Sequence, residues 1–141
     1  MIERHGSVVV VTFVRILMPL AQTFALYVLI HGHESPGGGF QAGVILSASY
    51  VMLRLALGPG APDEGLDEPR WLALAAGGVL LYLVTGVAGF GGRAFLDYSV
   101  LPLPDPVQAR WLGILLIETG VGIAVAATLV VIFRRLADTG R

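Results

Sequence analysis

The chain has 141 residues, 55% of them hydrophobic and 13% charged, with a formal net charge of −1 and no cysteine. An ordinary soluble domain carries about 25% charged residues, so this charge deficit and a mean hydropathy of +0.79 point to a surface facing lipid or apolar neighbours. No basic face exists to neutralise phosphates, which argues against a nucleic-acid partner. Disulfide frameworks and thiolate metal sites are excluded, and the absence of lysine reads as composition bias.

A transmembrane helix needs about 20 predominantly apolar residues, and four runs qualify. Ser7 to Ile30 is interrupted by Arg15 and Gln22. It is too long for a signal peptide and no A-x-A cleavage pattern follows it, so it is expected to span. Phe40 to Leu57 carries Arg54 near its end, Trp71 to Phe90 is unbroken, and Trp111 to Phe133 contains one charge, Glu118. The connectors suit turns: His31–Gly39 is short and glycine-rich, and Gly58–Pro69 (GPGAPDEGLDEP) is polar. The third, Gly91–Arg110, includes Leu101–Pro106 (LPLPDP), whose alternating prolines favour an extended path. The expected fold is all-α: one integral membrane domain over residues 1–141 with four transmembrane helices.

Arginine placement sets the orientation. With the N-terminus inside, Arg4, Arg54, Arg70, Arg134, Arg135 and Arg141 face the cytoplasm and only Arg93 and Arg110 face outward. Both termini are therefore expected in the cytoplasm and the His31–Gly39 loop outside.

Small residues let membrane helices approach closely. Gly39, Gly43 and Ser47 form a ridge on the second span; Ala75, Ala76, Gly77, Gly78, Gly86 and Gly89 lie on the third. Gly120 with Ala124 and Gly122 with Ala126 make two small-xxx-small pairs on the fourth. Packing within the chain and contact with other membrane subunits both account for such faces.

Arg15 and Glu118 are the costly residues, since a charge at a helix centre carries a penalty of about 2.5–3.5 kcal/mol on insertion scales. Their positions in the spans imply an offset on the order of 10 Å along the membrane normal at 1.5 Å per residue. Water or another subunit is thus as good a partner for each as the other charge. Glu118 is a candidate for a proton or cation path, or else an anchoring carboxylate. Arg15, which does not give up its proton, suits intramembrane charge pairing.

The loop HGHESPGGGF admits three readings. His31, His33 and Glu34 offer metal-type ligands, but three candidates without a fourth make a poor site, so no metal is assigned. Gly37, Gly38 and Gly39 expose backbone N–H groups at a helix start, yet the G-K-[ST] ending of a phosphate loop is missing. A tight turn with a subunit contact is the third and leading reading: Pro36 fixes one angle, and the glycines, with Gly43 beyond them, are expected to admit the close approach of a neighbouring subunit. His31, His33 and Glu34 then stand as proton-handling candidates at a membrane entrance.

The stretch His31–Ile45 (HGHESPGGGFQAGVI), following a first span, resembles the GH-x-x-PGGGF signature of the MnhB/MrpB-type subunit of multisubunit Na⁺/H⁺ antiporters. The module also occurs in membrane-bound hydrogenases and related energy-converting complexes. The resemblance covers nearly the whole chain and includes an acidic-x-G-V pattern at Glu118–Val121, with glutamate where aspartate is commoner. It implies a non-catalytic subunit of the cell membrane, without cofactors of its own, beside large antiporter-like subunits that carry the main proton routes. A hydrogenase-type, redox-driven parent complex is the alternative that it implies. One acid in the spans and no lysine are too few for a complete relay on this chain.

Overall fold

The computed structural model of the chain describes residues 7–32, 37–58, 65–92 and 94–139. Four α-helices account for most of them: α1 (Val8–Ile30), α2 (Gly38–Leu57), α3 (Glu68–Ala88) and α4 (Pro106–Thr139). Each is long and apolar enough to cross a membrane, and no strand occurs among the described residues.

The helix ends follow local chemistry. Gly37 opens α2 in the left-handed region at φ 90°, and Gly58 closes it at φ 81° with its N–H on the Arg54 carbonyl. Pro69 occupies the first turn of α3, where a missing N–H costs nothing. At α4 the Asp105 carboxylate accepts from the Val107 N–H at 3.0 Å, and Pro106 follows as the first helical residue. That cap starts α4 at Pro106, ahead of the apolar run from Trp111, and the helix continues past the run to Thr139. At 1.5 Å per residue it is about 50 Å long, more than the roughly 30 Å of a hydrocarbon core.

The helices alternate in direction, which brings the α1–α2 turn and the α3–α4 connection to one end and the two described termini to the other. Packing follows the order α1, α2, α4, α3, with α4 flanked by α2 and α3, while α1 touches α4 only slightly. Tyr50 on α2 and Trp71 on α3 meet edge-on at 5.8 Å. Near the terminal end, Arg135 pairs with Glu68 and Arg134 donates to the Leu66 carbonyl, tying the start of α3 to the far end of α4.

Small residues line the seams. Ala25, Ala42, Gly43, Ser47, Ser49, Gly78, Gly120, Gly122, Ala127 and Val130 are buried, whereas Phe13, Leu20, Val84 and Phe90 are each more than 60% exposed. An aqueous surface with that many exposed large apolar side chains would aggregate; in a bilayer it is the expected exterior.

The α3–α4 connection folds back over the turn end. Ser99 N–H caps on Asp97 in a 3₁₀ turn at Tyr98–Val100. Leu96, at φ 65°, donates its N–H to the Gly86 carbonyl at the end of α3. Leu101 has the extended dihedrals expected of the proline-rich run, but Leu103 N–H bonds back to the Leu101 carbonyl at 2.7 Å, so the run bends.

Candidate functional site at the first helix turn

The seam between α2 and α4 leads to the site. A β-carbon at Gly39 would stand 2.2 Å from the Glu118 carbonyl oxygen, and one at Gly43 would stand 2.6 Å from the Gly122 carbonyl oxygen. No side chain fits at either place, so the two backbones touch directly. Glu118 and Gly122 are four apart, as are Gly39 and Gly43, and the two stripes face each other. The other small pair on α4 serves a different neighbour: Gly120 and Ala124 lie against Gly78 of α3.

This contact carries the Glu118 side chain to the α1–α2 turn. Its Oε2 is buried, and a β-carbon at Gly32 would fall 1.7 Å from that atom; one at Gly38 would fall 3.0 Å from it and 2.3 Å from the Gly32 Cα. The consecutive glycines therefore have separate tasks. Gly37 supplies the left-handed turn, Gly38 leaves room for Gly32 and the carboxyl, and Gly39 lets α4 approach. On the α1 side, Leu29, Ile30, Trp111, Ile114, Leu115 and Glu118 surround a crevice with no room for a water molecule.

The connection between α3 and α4 closes over the same end. The Tyr98 ring lies on Gly113, where a β-carbon would be 2.1 Å from Cδ1. Burial pushes the Tyr98 hydroxyl above its usual value, with Tyr82 adding to the rise, Arg110 opposing it and Glu118 adding to it. Tyr98 is thus held neutral and within electrostatic reach of Glu118.

The sequence candidates fall unevenly around this point. Glu118, Gly37, Gly38 and Gly39 come together at the turn, and Gly43 lies one helical turn along the same seam. His31 is exposed; its Nδ1 is 3.0 Å from the Tyr27 carbonyl and its ring stacks on Tyr27 at 4.2 Å. His33, Glu34 and Pro36 lie outside the described residues. Arg15 is on the exposed face of α1, and no ion pair joins it to Glu118. Sequence reasoning missed Gly32, Gly113 and Tyr98. The matched four-residue spacings of Gly39/Gly43 and Glu118/Gly122 were the available signal for the first, since they dock α4 beside the turn. Nothing in the sequence pairs Tyr98 with Gly113.

A carboxyl in this position accepts hydrogen bonds when ionised and also donates one when protonated. With one oxygen against the turn backbone, its charge state is felt by the turn. Such an arrangement defines a small multi-pass helical membrane protein with an acidic group at an interhelical turn. A family model described as "Domain related to MnhB subunit of Na+/H+ antiporter" matches residues 9–131, and the chain belongs to that family. A relative from Staphylococcus haemolyticus, named as an antiporter subunit, mnhB2, is 29% identical, the match covering 95% of this chain and 96% of the relative. Its namesake in Staphylococcus saprophyticus is 28% identical over 92% of this chain and 93% of its own length. That of Staphylococcus aureus strain MRSA252 is 26% identical over 95% and 96%. No solved structure matches the chain.

Proposed function

We propose that the chain is a non-catalytic subunit of a multisubunit Na⁺/H⁺ antiporter in which Glu118, seated at the α1–α2 turn, belongs to the ion path. The family assignment carries the first half of this reading. The burial of a carboxyl oxygen against Gly32 and Gly38 supports the second. A carboxylate in a membrane span is costly unless it serves an ion or a partner. Glu118 is the one acid within the apolar runs, which hold no lysine, so the relay continues through other subunits, including large antiporter-like ones. His31, His33 and Glu34, neighbours of this turn in the sequence, are the groups we propose to exchange protons with Glu118, because unperturbed imidazoles titrate near working pH and carboxyls bind and release protons.

The arginine distribution supports both termini in the cytoplasm and the turn on the outer side, with the chain acting as one domain of the cell membrane. A cysteine substituted at Ser35 is then labelled by a membrane-impermeant reagent from outside; labelling only from the cytoplasm reverses the orientation. The redox-driven alternative is not favoured, because the relatives are named as antiporter subunits. Purification through a tag on this chain in mild detergent tests the assignment. Antiporter-like subunits are expected to co-elute. Added iron–sulfur or nickel subunits would indicate the redox complex, and a homo-oligomer alone would contradict both.

A further inference from the structure

The outward face of α1 carries a cation where a lipid-facing helix should be apolar. α1 is the edge helix of the row, with only 11% of its apolar window buried. Its core side is set by Val14, Ala25 and their neighbours. Thr12, Arg15, Pro19 and Thr23 are exposed, and Gln22 is half-exposed. At 100° per residue these five positions share one sector of the helix, away from the buried one. Arg15 lies about 10 Å along α1 from Val8 at 1.5 Å per residue. Among the described residues it has no hydrogen-bond or ion-pair partner. Pro19 has no N–H to donate to the Arg15 carbonyl, which leaves an acceptor beside the cation.

We propose that this stripe is the docking face for a transmembrane helix of another antiporter subunit that presents an aspartate or glutamate to Arg15. The proposal rests on the subunit reading above. Charge complementarity selects the occupant: a guanidinium in hydrocarbon requires an anion, and a carboxylate matches its planar fork with two parallel hydrogen bonds. Gln22, one heptad further on the same stripe, offers amide donors and acceptors that lipid tails cannot satisfy. A second copy of this chain does not supply the acid. Among the described residues the one carboxylate well inside a span is Glu118, and its Oε2 is buried in its own turn. The remaining source of an anion is a lipid phosphate reached by snorkelling.

The test uses the complete complex purified through a tag on this chain. Arg15→Leu makes the helix more apolar, so membrane insertion is preserved and the abundance of the tagged chain serves as control. The expected result is at least a tenfold loss of one co-purifying subunit, with partial recovery in Arg15→Lys, which keeps the charge but loses the fork. A cysteine or photo-crosslinker at Leu26, on the same stripe, is expected to trap that same subunit in the wild-type background. Wild-type co-purification in Arg15→Leu, or full equivalence of lysine and arginine, means that Arg15 snorkels to lipid and overturns the proposal. Crosslinking of Leu26 only to a second copy of the chain also overturns it. If the wild-type chain retains no antiporter-like subunit at all, the subunit reading falls and the docking face falls with it.

Discussion

Two glycines beside Glu118 predict opposite phenotypes. At Gly32 an added β-carbon meets the tip of a flexible side chain, Glu118 Oε2 at 1.7 Å. Glu118 can swing aside, so Gly32→Ala is expected to leave assembly intact while reducing Na⁺/H⁺ exchange severalfold. At Gly39 the β-carbon meets backbone, the Glu118 carbonyl at 2.2 Å, and only separation of α2 from α4 relieves the clash. Overpacking of this kind costs about 1–3 kcal/mol, so Gly39→Ala is expected to lower the thermal midpoint of the detergent-solubilised complex and its yield. Equal effects of the two substitutions on yield would contradict the separation of tasks. A double-mutant cycle of Gly32→Ala with Glu118→Gln is expected to be strongly non-additive in exchange rate, because both act at one contact. Glu118 was visible in the sequence as a charge in an apolar run. Its seat was not, because depth along a span says nothing about which helix lies alongside.

Among the elements, α4 organises the fold because its two small pairs point in different directions. Gly120 and Gly122 are 200° apart around the helix, so one pair meets α3 and the other α2. A β-carbon at Gly120 would be 2.7 Å from the Gly78 carbonyl and 3.0 Å from the Tyr82 backbone nitrogen. Gly120→Val is therefore expected to loosen α3 from α4 and raise proteolysis in the connection between them, with the α1–α2 turn less affected; limited proteolysis checks this. That connection also has an alkaline limit. The Tyr98 pKa is raised above 10.0 by burial, then by Tyr82 and Glu118 against Arg110. Below pH 10 the hydroxyl is neutral folded or unfolded and stability is unaffected. As pH rises past 10 the unfolded chain releases its proton first, so the folded state loses stability. Melting in detergent is expected to show a smaller drop between pH 9 and pH 11 for Tyr98→Phe than for the wild type. The four spans were legible because apolar runs of that length have few other readings. The folded-back connection was not, because it depends on Phe95 and Tyr98 finding Gly86 and Gly113 across the bundle end.

As a whole, the molecule is a row of helices and not a sealed bundle. The order α1, α2, α4, α3 leaves α1 at one edge and α3 at the other, both with largely exposed apolar faces. Composition announced a membrane protein and small-residue spacing announced close seams. The row itself depends on which small face meets which, and a periodic pattern alone does not choose. The row leaves two apolar faces open and brings one carboxylate to a turn. Everted membrane vesicles containing the complete complex report whether this carboxylate takes part in ion exchange. With Glu118→Gln, Na⁺/H⁺ exchange per assembled complex is expected to fall at least tenfold, with the subunit composition unchanged. Exchange at the wild-type rate in a fully assembled Glu118→Gln complex would contradict the account and leave the carboxylate as an anchor between α4 and the first helix turn.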